Sequence, residues 1–354
     1  MSLRRLRINH LRNLSELDFT PNEKFNVITG LNGSGKTSLL EAIFILGLGR
    51  SFRTHQIRHA IAHHSSSCTL FGETVSHKIG IEKSTKNDTK IVIDGRNESS
   101  RQYLARLLPL QLLHADTFDL VLGPSSVRRQ FLDWGVFHFN PQFIDQWRVV
   151  QRSLLQRNKL LKHAKMNPSE LSSWNDQFAT AAELVDQMRL QYLQVFNGRL
   201  ADALEVVCPG LSIEVVYERG WHQEKALIVV LEENFTREKL VGHTLFGPHR
   251  ANLLFKTNQL DVAQVLSRGY IKLLASTLKV AQVMVKHDDH DHRYPCTVLI
   301  DDLASELDFN NLEKILVLLN NLSTQVFITA ISDDSLPGWL NGSVFNLAKG
   351  RLAS

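Results

Sequence analysis

Gly30-Leu31-Asn32-Gly33-Ser34-Gly35-Lys36-Thr37 satisfies every constrained position of the phosphate-cradling pattern G-x-x-x-x-G-K-[ST]. The chemistry of that spacing is electrostatic. Glycines let the backbone curl until several N–H groups face a polyphosphate, and the N-terminus of the helix that follows adds a favourable dipole. Lys36 then reaches the β- and γ-phosphates. Thr37 supplies a hydroxyl to Mg²⁺, a hard cation that prefers hydroxyl, water and phosphate oxygens. The spacing therefore predicts a site for ATP with Mg²⁺ over residues 30–37.

Two further groups narrow the chemistry. Thr297-Val298-Leu299-Ile300-Asp301-Asp302 is an apolar run ending in paired carboxylates, the Walker B pattern, with Asp301 placed to hold Mg²⁺ and Asp302 to orient or deprotonate water. Ser305-Glu306-Leu307-Asp308 follows at once. Upstream, Leu266-Ser267-Arg268-Gly269 opens a helical segment over 270–286, where Ser267 is the expected N-cap and Gly269 permits close backbone approach. Each piece alone has a plain structural explanation. Their order, P-loop, signature, Walker B and then Ser-Glu-Leu-Asp, resembles that of ABC-type ATPases and makes Lys36, Asp302, Ser267 and Gly269 the expected catalytic residues.

The elements that must position these groups are partly readable. Phe25–Thr29 reads as a short buried strand and Ser38–Leu46 as an amphipathic helix, the context a P-loop requires. The first hundred residues alternate strands over 3–10, 14–19, 25–29, 77–83 and 90–94 with that helix. From Phe143 the period becomes helical. Phe143, Trp147, Val150, Leu154 and Leu161 form one stripe, and Trp174, Phe178, Ala181, Val185, Met188, Tyr192 and Val195 another, with Pro168-Ser169 at the turn. Strands are expected again over 211–217 and 226–231. The chain is thus expected to be α/β, and its resemblance to ABC-type ATPases implies a head, similar to those of SMC and Rad50, formed by 1–138 and 209–354 and interrupted by an inserted helical hairpin or lid at 139–208.

Composition agrees with this reading. A chain of 354 residues with 43% hydrophobic content suits a head plus a second module. Cys68, Cys208 and Cys296 are far apart and form no C-x-x-C pair, so neither a disulfide framework nor a zinc site is indicated and a reducing cytoplasm is expected. Arg4, Arg5, Arg7 and Arg12 interrupt any leader-like apolar run, no stretch is long enough for a membrane span, and a soluble protein is expected. The net charge of +4 is weak evidence for a nucleic-acid partner. Local groups say more: Arg4-Arg5-Arg7-Arg12, Arg50-Arg53-Arg58 and Arg148-Arg152-Arg157-Lys159-Lys162-Lys165 are candidate phosphate tracks. No helix-turn-helix or zinc finger is present, so DNA binding is expected to be backbone-directed and salt-sensitive. The run His287-Asp288-Asp289-His290-Asp291-His292 reads as a solvated loop rather than a metal site.

Leu6-Arg7-Ile8-Asn9-His10-Leu11-Arg12-Asn13-Leu14, the P-loop, Arg128-Arg129-Gln130-Phe131-Leu132-Asp133, Gly247-Pro248-His249-Arg250, the signature and the 299–308 stretch together resemble the RecF family of bacterial recombination mediators nearly end to end. The resemblance implies an ATP-dependent homodimer in which Ser267 and Gly269 of each copy face the γ-phosphate held by the other. It also implies binding of gapped duplex and single-strand/double-strand junctions, a RecR-type mediator partner, help in loading recombinase, and slow DNA-stimulated ATP hydrolysis that resets the switch. Three positions depart from the common pattern or from transporter relatives: Tyr270 stands where Gln is usual, Asn252 where Asp is frequent, and Thr329 where transporter ATPases place a switch histidine. Other readings remain: an SMC-like structural head, for which the helical segment ending near 207 leaves no room for a long coil; a P-loop kinase for a small molecule, which leaves the signature unexplained; and a transporter subunit, which Thr329 disfavours.

Overall fold

The computed structural model describes residues 2–86, 88–163, 167–288, 295–332, 335–340 and 342–352. The chain forms two compact units, 1–117 with 272–354, and 118–271. In chain order the first unit begins with β1 (Leu3–Leu11), β2 (Leu14–Phe19), β3 (Phe25–Thr29), α1 (Lys36–Leu48), β4 (Ser67–Thr74), β5 (Lys78–Ser84), β6 (Thr89–Ile93), β7 (Arg96–Glu98), α2 (Arg101–Leu107) and β8 (Leu110–Leu113). The second unit holds α3 (Asp119–Leu122), α4 (Ser125–Phe139), α5 (Phe143–Lys162), α6 (Pro168–Val207), β9 (Glu214–Glu218), α7 (Leu227–Glu233), α8 (Phe235–Val241), β10 (Asn252–Thr257), β11 (Leu260–Asp261) and α9 (Val262–Val265). Then come α10 (Arg268–Asp288), β12 (Thr297–Ile300), α11 (Phe309–Asn320), β13 (Gln325–Ala330), β14 (Gly342–Ala348) and β15 (Arg351–Leu352).

Two sheets build the first unit. One is antiparallel, ordered β2-β1-β4-β5-β6-β7, and β4 alternates buried and half-buried residues as a one-sided sheet must. The other is ordered β15-β14-β3-β13-β12-β8, and β14, β3, β13, β12 and β8 run parallel. Every residue of β3, β13, β12 and β8 is buried, the mark of parallel strands covered on both faces. α1 packs against both sheets, and Ser38 through Gly47 are all buried. It is therefore apolar all round and not amphipathic, because it is the shared core element between two sheets. The one carboxylate in that run, Glu41, is met by Arg12 with paired bonds of 2.9 Å and by the Ser51 hydroxyl at 2.5 Å.

In the second unit α5 and α6 pack along one another, and residues of both apolar stripes are buried: Phe143, Val150 and Leu161 on one, Phe178, Val185 and Tyr192 on the other. The sheet here is small and antiparallel, β11-β10-β9. The segment 226–231, expected as a strand, is helix α7. Leu227, Val230 and Leu231 are buried, an i, i+3, i+4 set, and the Glu183 carboxylate accepts the Leu227 N–H at 2.9 Å, serving one of the amides a helix start leaves open. Contact boundaries fall at 117/118 and 271/272, so the second unit takes in 118–138 and 209–271 beside the helical hairpin at 139–208. The reason is local packing: α4 lies on α6 and β10, and β10 pairs with β9.

Candidate nucleotide-binding site

β3, β13 and β12 are adjacent parallel strands, so the residues at their C-terminal ends converge: Gly30 after β3, Thr329 near the end of β13, and Asp301 after β12. The ends of parallel strands are where open α/β sheets place ligands. The P-loop leaves β3 with Gly30 at φ 144° and enters α1 with Gly35 at φ 114°. Both backbone angles are left to glycine, and space agrees, since a Cβ on Gly30 would lie 2.3 Å from the Leu347 carbonyl oxygen. Leu31 and Asn32 form the exposed crest of the loop, Gly33 follows in the left-handed region at φ 79°, and Ser34 turns inward. The Ser34 Oγ is buried with no hydrogen-bond partner among the described residues.

Lys36 folds over the loop, its ammonium donating to the carbonyls of Gly30 at 2.6 Å and Leu31 at 3.2 Å. Thr37 Oγ1 donates to Asp301 Oδ1 at 3.0 Å, which joins two motifs 264 residues apart. Burial pushes the Asp301 carboxyl above the usual carboxylate range, against the opposing pull of the Thr329 and Thr37 hydroxyls. A buried carboxylate beside a hydroxyl is an oxygen donor set that a hard cation suits. Asp302 is exposed and sits in the left-handed region at φ 53°, uncommon for a residue with a Cβ. Glu306 pairs with Lys272.

Two turns that sequence reasoning passed over hold the loop from outside. Asn13, between β1 and β2, donates from Nδ2 to the Gly33 carbonyl at 2.9 Å and accepts from Ser38 Oγ at 3.0 Å. Gly350, in the turn between β14 and β15, donates its N–H to the Ser34 carbonyl at 2.9 Å. With both carbonyls pinned outward, the peptide planes of the loop are fixed before any ligand arrives. Asn13 lies in the Leu-Arg-Asn-Leu stretch, the one signal that pointed to it. Asn13→Ala leaves the Gly33 carbonyl and the Ser38 hydroxyl without that partner, at about 1–1.5 kcal/mol. Nucleotide affinity is expected to fall about tenfold with the thermal midpoint little changed; titration with a fluorescent ATP analogue measures it, and an unchanged affinity removes the clamp.

Ser267 and Gly269 belong to the second unit, where Ser267, Arg268, Gly269 and Tyr270 are all exposed. The Ser267 carbonyl accepts the Ile271 N–H at 2.9 Å and its Oγ faces the Tyr270 N–H at a loose 3.5 Å, so Ser267 does stand at the start of α10. Gly269 has no positive φ, and a Cβ there would meet only Ser267 Oγ, at 4.0 Å. Glycine in a helix costs about 1 kcal/mol against alanine, and nothing inside the fold requires it here.

Arg128 and Arg129, in one of the stretches that carry the resemblance, are both hydrogen-bonded within the second unit. Arg128 donates to Asn252 Oδ1 at 2.9 Å and to the Gly123 carbonyl, and Arg129 to the Ala251 carbonyl at 2.8 Å. Asn252 earns its difference from aspartate: its Nδ2 donates to Glu218 Oε2 at 3.2 Å, directly across the β10–β9 pair, where a second carboxylate would repel. His249 is held neutral, its pKa pushed down to about 4 by burial. Among the basic groups, Arg5 and Arg7 share Asp18, Arg12 and Arg53 share Glu41, and Arg157 is fully buried against Glu238. Lys165 and residues 289–292 of the His/Asp run lie outside the described residues, and no group of three or more metal-capable side chains occurs among the described ones.

The family model for the RecF/RecN/SMC N terminal domain matches residues 2–339. The DNA replication and repair protein RecF of Cellvibrio japonicus (strain Ueda107) is 40% identical over 366 residues, spanning 100% of this chain and 99% of the relative. The chain belongs to the RecF family. It is thereby a DNA replication and repair protein, as its N-terminal, P-loop and 299–308 stretches imply. Solved structures agree on the fold. A RecF–ATP structure from the RecFOR pathway superposes with a TM-score of 0.87 at 22% identity over 99% of this chain and 96% of that one. An Smc head bound to the C-terminal winged-helix domain of ScpA gives 0.59 at 12%, over 100% and 98%. The RecF-family chain thus has the α/β fold of ABC-type ATPase heads, as SMC heads do.

Proposed function

We propose that this RecF-family protein is an ATP-switched, DNA-binding homodimer. The observation that carries the reading is the 3.0 Å contact between Thr37 of the P-loop and Asp301 of Walker B, beyond the ends of β3 and β12, parallel strands on either side of β13. Residues 30–37 hold the triphosphate, with Lys36 on its outer phosphates. Thr37 and Asp301 would hold Mg²⁺, which neutralises charge on the phosphates when bound. Asp302, exposed beside them, orients water.

Gly269 supplies the argument for a second copy. It is exposed and without an internal reason for glycine, so the close approach it permits is to something outside the chain. In the proposed sandwich Ser267 and Gly269 face the γ-phosphate of the partner copy, ATP joins the two, and slow hydrolysis releases them. The dimer binds gapped duplex and single-strand/double-strand junctions through their backbone, works with a RecR-type mediator and helps load recombinase, in the cytoplasm. No helix of the described residues is long and apolar enough to cross a membrane. The RecF–ATP relative and the RecFOR pathway named with it support the nucleotide and the partner.

The test compares binding to gapped and intact duplex at moderate salt, with ATP–Mg²⁺ and without nucleotide. Tighter binding to gapped DNA only with ATP is the expected result. Equal affinity in all four conditions contradicts the reading.

A further inference from the structure

We propose that Thr329 is a positioning residue that sets both Walker B carboxylates through one hydroxyl, a role that rests on the nucleotide–Mg²⁺ reading above. Thr329 lies in β13 and is 1% exposed. Its Oγ1 donates to Asp301 Oδ1 at 2.9 Å and accepts the Asp302 backbone N–H at 2.9 Å. One group therefore fixes two neighbours in opposite senses. As a donor it joins Thr37 Oγ1 on the same Asp301 oxygen, so hydroxyls from two different elements set the rotation of that carboxylate. As an acceptor it holds the peptide at Asp302, the residue in the left-handed region at φ 53°. Aspartate tolerates that region better than most residues with a Cβ, and the hydrogen bond from its N–H to the Thr329 hydroxyl helps hold it there.

The consequence is a division of labour. Burial keeps Thr329 inside the strand layer with its hydroxyl engaged on both sides, so it acts through Asp301 and Asp302 and not by reaching a phosphate itself. The requirement is also chemically narrow. Serine keeps both hydrogen bonds, valine keeps the shape and loses both, and alanine loses both with less bulk. Groups that orient a metal-holding carboxylate typically change metal affinity 10–100-fold when removed.

The experiment uses the full chain with Thr329→Val, Thr329→Ser and Thr329→Ala, and a fluorescent ATP analogue titrated first in EDTA and then against Mg²⁺. Thermal melting establishes that each variant is folded, and Thr329→Ala carries the test if the valine variant is not. The expected result is unchanged affinity in EDTA for all, an Mg²⁺ midpoint raised about 10–100-fold for valine and alanine, and a serine midpoint within about threefold of the parent. A folded valine or alanine variant with the parent's Mg²⁺ midpoint, or a serine variant as impaired as valine, overturns the proposal while leaving the site intact. A parent chain that binds no nucleotide, or binds it without regard to Mg²⁺, overturns the nucleotide reading and this role with it.

Discussion

Lys36→Arg is expected to bind ATP within a few-fold of the parent chain and to hydrolyse it about 10²–10³-fold more slowly, the cost of misplacing one transition-state donor. The ammonium of Lys36 lies 2.6 Å and 3.2 Å from the carbonyls of Gly30 and Leu31, a seat made for a compact point charge. A guanidinium keeps the charge but is planar, longer and forked, and cannot occupy that seat with the same aim. Binding depends mainly on the loop amides and the retained charge; turnover depends on where the charge sits as the γ-phosphate leaves. Single-turnover hydrolysis beside equilibrium binding separates the two. Parent-like turnover in the variant contradicts the P-loop assignment.

Glu238→Ala is expected to destabilise the second unit by about 3–5 kcal/mol. Arg157 is fully buried and donates to Glu238 Oε2 at 2.5 Å, Asn175 Oδ1 at 2.7 Å and Thr244 Oγ1 at 2.7 Å. Glu238 is buried too, and its other oxygen accepts the Leu245 N–H at 2.7 Å. Removing the carboxylate leaves a guanidinium without its counter-charge in a low-dielectric interior, whereas removing both charges leaves none. Arg157→Met combined with Glu238→Leu is therefore expected to be closer to the parent than Glu238→Ala alone. Urea unfolding of the three variants measures the order. A double variant less stable than the single one contradicts the account of this pair.

These two cases show what the sequence could and could not disclose. The P-loop pattern stands out in the sequence because phosphate chemistry fixes both residue type and spacing within eight positions, and the strand before it and the helix after it are found where that pattern requires them. Asp301 stands out as the end of an apolar run, and the fold brings it to 3.0 Å from Thr37. Arg157 does not: it sits in a run of basic residues that reads as a phosphate track, and only the fold brings Glu238, 81 residues away, onto it. Asn13, Thr329 and Gly350 act on the site through contacts that no spacing rule encodes. The spacing within α1 suggests a one-faced helix, and its burial all round comes from tertiary surroundings, strands of two sheets. Leu227–Glu233 carries a β-branched run that outweighed its i, i+3, i+4 apolar spacing, and the spacing was the better guide.

Sedimentation of the purified chain with and without ATP–Mg²⁺, beside Ser267→Arg, tests the central claim most directly. Ser267 is exposed in the unit that lacks the P-loop, so the substitution leaves residues 30–37 untouched. A shift from monomer to dimer driven by ATP, abolished in Ser267→Arg although that variant still binds the nucleotide, is the predicted result. A monomer under every condition, or a dimer indifferent to both ATP and the substitution, contradicts the shared-site switch.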